Sequence, residues 1–196
     1  FPAGVPTGNS PYTVAAWVKP DSGFIERGGW VGWGNGAYSE ANNCRLESAT
    51  TVWIYWWGND FGGTIPSGNF FDGNYHSVVV TWDGTTEILY IDGREVNRRS
   101  GMPPPNVGAA NFVVGRTIGD NNFKGWVDEV RVWDGVRSNA EILSNYKKTL
   151  SKAELLANRL TVRTQESLGY SRVWTNPLQL DAELLFYYTF GTLFSA

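Results

Sequence analysis

The chain has 196 residues, 16 basic against 19 acidic, for a formal net charge of −3 at pH 7. That length suits a single domain, 1–196, with a sizeable core, and an aromatic content of 15% excludes an intrinsically disordered chain. No basic block is present to neutralise a run of phosphates, which excludes nucleic acid as a partner. The longest mainly apolar run, Leu184 to Phe190, is far short of the ~20 residues of a membrane span, so no membrane insertion is expected.

Charged residues make up only 18% and glycines number 23, a balance that favours strands and turns over salt-laced helices. The single cysteine, Cys44, excludes an internal disulfide and any multi-cysteine metal site. The chain starts at Phe1 with no basic and apolar leader, which predicts a processed product or a piece of a longer protein.

In chain order, short runs rich in β-branched and aromatic residues predict strands over 12–19, 29–33, 52–57, 75–82, 87–91, 111–116 and 126–133. Asp83-Gly84 and Asp92-Gly93 supply turn chemistry, because glycine accepts the positive φ that tight hairpins need, so 75–96 reads as a meander. Within 52–57, Val52, Ile54 and Trp56 alternate with Trp53, Tyr55 and Trp57, which makes both faces of that strand apolar. One face enters a core, and the other needs a separate explanation.

After Trp133 the pattern changes. Ser138 with Glu141 and Ser151 with Glu154 are two capping boxes, in which hydroxyl and carboxylate satisfy the open amides of a helix start. They predict short helices over 139–147 and 152–159, and a strand over 184–190 is expected to return beside an early strand. The resulting fold class is all-β, an antiparallel β-sandwich with two short C-terminal helices.

Four segments taken in order carry a resemblance to a family: Thr13–Pro20 (TVAAWVKP), Tyr75–Gly84 (YHSVVVTWDG), Leu89–Gly93 (LYIDG) and Gly125–Trp133 (GWVDEVRVW). Together they resemble the laminin-G-like, pentraxin-like group of the concanavalin A-like lectin/glucanase superfamily over about Tyr12 to Tyr146. Trp56-Trp57-Gly58-Asn59-Asp60 is similar to a segment of some such domains, while Tyr75 stands where a Trp commonly precedes the meander histidine. The resemblance implies a jelly roll of two curved sheets and an extracellular or cell-surface role in binding glycans or proteins.

Because that superfamily also contains glucan hydrolases, catalysis has to be weighed. Glycoside hydrolysis needs two carboxylates facing one cleft, and no run of acids at alternate strand positions is present. Asp128 and Glu129, being adjacent, are expected on opposite faces, with Glu129 paired to Arg131. His76 is the only histidine and lies inside a strand, as a hydrogen-bonded structural residue, and Cys44 reads as a buried small hydrophobe. The chain is therefore expected not to be an enzyme.

Relatives of this kind hold calcium at the rim of the sandwich, so the resemblance implies calcium (Ca2+), with Asp128 as first ligand and Asp120 and Asn121 from an oxygen-rich loop. The other reading of these residues is plain turn-making by their side chains. For glycan, an exposed ring stacks on the apolar face of a sugar while amides and carboxylates take its hydroxyls. Trp53, Tyr55 and Trp57 with Asn59 and Asp60 offer that combination, and Trp30 and Trp33 are expected to line the same surface.

Two functional readings follow. The first is a non-catalytic carbohydrate-binding or adhesion module. The second is a structural or assembly domain of an extracellular fibre or surface glycoprotein, its faces sealed by self-assembly or by neighbouring domains. They differ in what covers the Trp53 face.

Overall fold

A computed structural model describes residues 1–2, 4–22 and 27–146, together with the backbone of three later strands. The elements are β1 (Tyr12–Pro20), β2 (Gly28–Gly34), β3 (Ala41–Leu46), β4 (Thr51–Tyr55), β5 (Asp60–Thr64), β6 (His76–Trp82), β7 (Thr86–Ile91), β8 (Arg94–Ser100), β9 (Val113–Val114), β10 (Asn121–Asn122), β11 (Gly125–Trp133), α1 (Asn139–Asn145), β12 (Thr161–Thr164), β13 (Arg172–Thr175) and β14 (Leu184–Thr189). They form a sandwich of two sheets, the larger in the order β12-β13-β14-β11-β1-β6-β7-β8 and the smaller in the order β10-β2-β3-β4-β5, with β9 also on β2. Among the described strands only the two-residue β10–β2 pairing is parallel.

Period-two patterning explains the core. Val14, Ala16 and Val18 of β1, Val78, Val80 and Trp82 of β6, and Val52 and Ile54 of β4 face inward and are buried in one cluster. Trp56 continues the inward row of β4 and meets Trp82 edge to face at 4.8 Å, a geometry favoured by the ring quadrupoles. At the β7–β8 turn, Asp92 and Gly93 both take positive φ, 51° and 76°, as a hairpin of matching twist requires.

Trp30 and Trp33 do not line a surface. They are 1% and 0% exposed, Trp30 against Phe123 and Trp33 between Tyr12 and Phe112. Both belong to the core between the sheets, whereas Gly29 and Gly32 take the outer side of β2 beneath the loop at Thr117, which a Cβ at Gly29 would approach to 2.5 Å, so that β2 is buried on both faces. Alternation along β2 therefore does not separate inside from outside.

The first capping box forms: Ser138 and Glu141 exchange both hydrogen bonds at the start of α1, and Ile142 packs on Val79 and Tyr90 on the outer face of the larger sheet. The second expected helix, over 152–159, lies outside the described residues. The closing strand, β14, pairs with β11 rather than with an early strand, because both edges of β1 are already taken by β6 and β11. The run 111–116 shortens to β9, since Asn111 and Gly115 take positive φ on either side of it.

Candidate functional site

With Val52, Ile54 and Trp56 inside, Trp53 and Tyr55 emerge on the outer face of the smaller sheet. Their cross-strand neighbours complete a grid: Trp53 lies between Arg45 of β3 and Gly62 of β5, Tyr55 between Asn43 and Asp60, and Thr51 beside Thr64. A Cβ at Gly62 would fall 2.5 Å from the Trp53 ring, so the indole lies over a backbone that only glycine leaves bare. A shallow cleft of about 270 Å³ opens here, lined among others by Thr51, Trp53, Asp60 and Thr64.

The indole is held from the other side by charge. The Arg45 guanidinium lies 5.2 Å from the Trp53 ring centre and 4.7 Å from that of Tyr55, and it is fixed by Glu47 at 2.8 Å and Asp120 at 2.9 Å. Cation over ring, with two carboxylates setting the cation, restricts the freedom of both aromatic groups. Asp120 also accepts from Thr117 Oγ1 at 2.7 Å and from the Tyr55 hydroxyl. Burial, joined by that contact with Asp120, pushes the Tyr55 phenol well up. Tyr55 is buried and supports the site from beneath, while Trp53 remains half-buried.

Trp57 has left the strand. Its φ is 65°, and its ring tip packs against the loop, where a Cβ at Gly119 would come within 2.7 Å. It is a half-buried ring beside Gly36 and Gly119 and does not line the cleft. Asp60 is exposed at the β4–β5 end of the grid.

Asn59 is turned away. Its side-chain oxygen accepts from Arg99 at 2.9 Å and its carbonyl from the same guanidinium at 3.1 Å. Arg99 spans the sheets, stacked over Trp56 and Phe61 at 4.8 and 5.0 Å and paired to the fully buried Glu87 at 2.7 Å. Asn59 is thus part of a strut between the sheets and not a sugar ligand.

The residues named for calcium do not form one centre. Both oxygens of Asp120 are engaged, by Arg45 and by the two hydroxyls. Asn121 pairs through its backbone with Gly28, and Asp128 belongs to the other sheet, opposite Trp17. Among the described residues no group of three or more His, Cys, Asp or Glu side chains could hold a metal ion. The donor set does not fit calcium at these positions.

Asp128 and Glu129 differ from the alternation expected of them. Glu129 has φ of 51° at a β-bulge, which turns two successive residues toward the outer face of the larger sheet. Glu129 is buried there in an ion pair with Arg131, and Asp128 accepts from the Glu129 N–H at 2.8 Å. His76 has both ring nitrogens on carboxylates, Asp92 at 2.9 Å and Asp72 at 3.2 Å. Cys44 is buried, and burial pushes its thiol well up, so neither offers a nucleophile with a base.

Sequence reasoning missed Arg45, Glu47, Thr51, Thr64 and Gly62. The available signal was the pairing of 41–46 with 51–57, which requires β3 to be recognised as a strand.

Solved structures share this architecture. A protein of Bacteroides ovatus, described as a candidate carbohydrate binding protein, superposes with a TM-score of 0.64 at 18% identity; the match covers all of this chain, which spans 56% of the length of that one. Domain 4 of the extracellular GH43 arabinanase AbnA of Geobacillus stearothermophilus, solved with arabinotriose, gives 0.53 at 22% identity over 74% of this chain and 69% of that one. The CBM40 of the Ruminococcus gnavus IT-sialidase gives 0.59 at 15% identity over 72% and 85%. At these identities the likeness is one of fold. No curated protein matches the sequence. The family model of the laminin-G type, described as concanavalin A-like lectin/glucanases superfamily, matches residues 1–143, and the chain belongs to that superfamily.

Proposed function

We propose that the chain is a non-catalytic carbohydrate-binding module acting outside the cell, with the outer face of the smaller sheet as its site. The observation that carries this reading is the Trp53 indole, partly open over Gly62 and framed by the hydroxyls of Thr51 and Thr64 and the carboxylate of Asp60. The ring offers its face to the C–H side of a sugar while the rim takes hydroxyls, the division of labour that sugar sites use. Arg45 and Asp120 hold the ring and are themselves internally compensated, so the face suits neutral sugars. Two of the similar folds, the arabinanase domain and the CBM40, are parts of proteins that act on saccharides by name, which supports the reading by analogy of fold only.

As a single copy such a shallow site binds weakly and gains by repetition. The test is an array of immobilised oligosaccharides probed with the folded chain: binding to neutral members is expected. No binding to any member would reject this reading in favour of a structural module whose faces contact neighbouring chains or domains.

A further inference from the structure

A second aromatic surface lies on the opposite side of the sandwich. Trp126 of β11 and Lys19 of β1 are cross-strand partners on the outer face of the larger sheet, and Tyr75, just before β6, lies on the other side of Lys19. The Lys19 ammonium sits 5.1 Å from the Trp126 ring centre and 5.8 Å from that of Tyr75. Trp126 is 51% and Tyr75 39% exposed. This is the end of β1 remote from α1, whose approach is marked by Thr13 accepting from the Arg137 N–H.

Charge sets this surface apart from the Trp53 face. Arg45 there has two carboxylates, whereas none of the ion pairs among the described residues includes Lys19. The ammonium is held between two rings and keeps hydrogen-bond donors for an anion. Asp128, next on the same face opposite Trp17, accepts from the Glu129 N–H.

We propose that Trp126, Lys19 and Tyr75 form a second saccharide site, selective for sugars that carry a carboxylate, with the sugar face on the Trp126 indole and the carboxylate on Lys19. The site stands apart from the Trp53 face in residues and in location, so either can fail without the other.

The test titrates the whole chain with trigalacturonate and sialyllactose as carboxylated probes and galactotriose as the neutral one, following the Trp indole N–H signals by NMR. At least one carboxylated probe is expected to bind and to shift the Trp126 signal. Its affinity should fall about tenfold or more in Lys19→Gln and in Trp126→Ala, fall only slightly in Lys19→Arg, and stay unchanged in Trp53→Ala. Unchanged melting temperatures in the variants confirm that the fold is kept. Binding of neither carboxylated probe, a Trp126 signal shifted equally by galactotriose, or an affinity indifferent to Lys19→Gln would overturn the proposal. Which carboxylated probe binds tells a uronate from a sialate ligand.

Discussion

The Arg45 guanidinium lies 5.2 Å from the centre of the Trp53 indole, on the face of the ring's own sheet and in a cross-strand position beside it. The pair makes Trp53 a fixed platform instead of a mobile surface ring, and fixing it before a ligand arrives lowers the ordering cost of binding. Arg45→Ala should therefore weaken glycan binding several-fold and destabilise the fold by about 2–3 kcal/mol, because Asp120 is left without its cation. Chemical denaturation and glycan titration of the same variant check both parts; full stability with full affinity would show that the pair is incidental.

Gly62 makes a sharper prediction about shape. A methyl there would meet the Trp53 ring at 2.5 Å and the Val52 carbonyl at 2.7 Å, so Gly62→Ala must push the indole off the sheet. The expected outcome is a loss of glycan affinity of about tenfold or more, seen by titration calorimetry, together with a shifted Trp53 indole N–H signal. An undisturbed signal would mean that Trp53 rests elsewhere.

Two buried groups give the fold a pH dependence of one sign. Burial raises the Glu87 carboxyl from its ordinary 4.5 to about 7, with Arg99 opposing the rise. The folded state then holds a proton that the unfolded chain has lost, so stability falls as pH climbs from about 4.5 to about 7. Glu87→Gln should flatten that part of the curve.

His76 extends the trend upward. Its hydrogen bond to Asp92 raises the imidazole above 6.5 despite burial. A raised base contributes stability that is fully present below 6.5 and is lost as pH rises through the higher folded value. Thermal melts of His76→Gln from pH 5 to 9 should lack this upper decline; a curve parallel to that of the parent would contradict the double clamp by Asp72 and Asp92.

The calcium expectation meets a direct check. Because Asp120 is occupied by Arg45, Thr117 and Tyr55, adding calcium to chelator-treated protein should leave the melting temperature unchanged. A rise of several degrees would show a metal site built from other oxygens.

Much of the sandwich was legible because β1, β6, β7 and β11 alternate cleanly or carry turn residues at their ends. β3 was not, since Ala41–Leu46 contains two asparagines and an arginine; Asn43 and Arg45 take the outer face only once β4 and the 117–120 loop are beside them, and Asn42 shares the inner face with Cys44 and Leu46. β5 is interrupted by Gly62 and Gly63, whose value lies in what they leave uncovered. Trp53 could be singled out from period two. Trp30 and Trp33, three residues apart, could not both be assigned inward by period two, because the irregularity of β2 between Gly29 and Val31 is announced by no side-chain pattern, and the bulge at Glu129 rests on a positive φ that is equally silent.

The most direct measurement is a calorimetric titration of the chain and of Trp53→Ala with the best neutral oligosaccharide from the array, each checked for an unchanged melting temperature. The account predicts binding by the parent and a loss of about tenfold or more, roughly 1.4 kcal/mol, in the variant. Equal affinity in a folded Trp53→Ala would contradict it and remove the outer face of the smaller sheet as the glycan site.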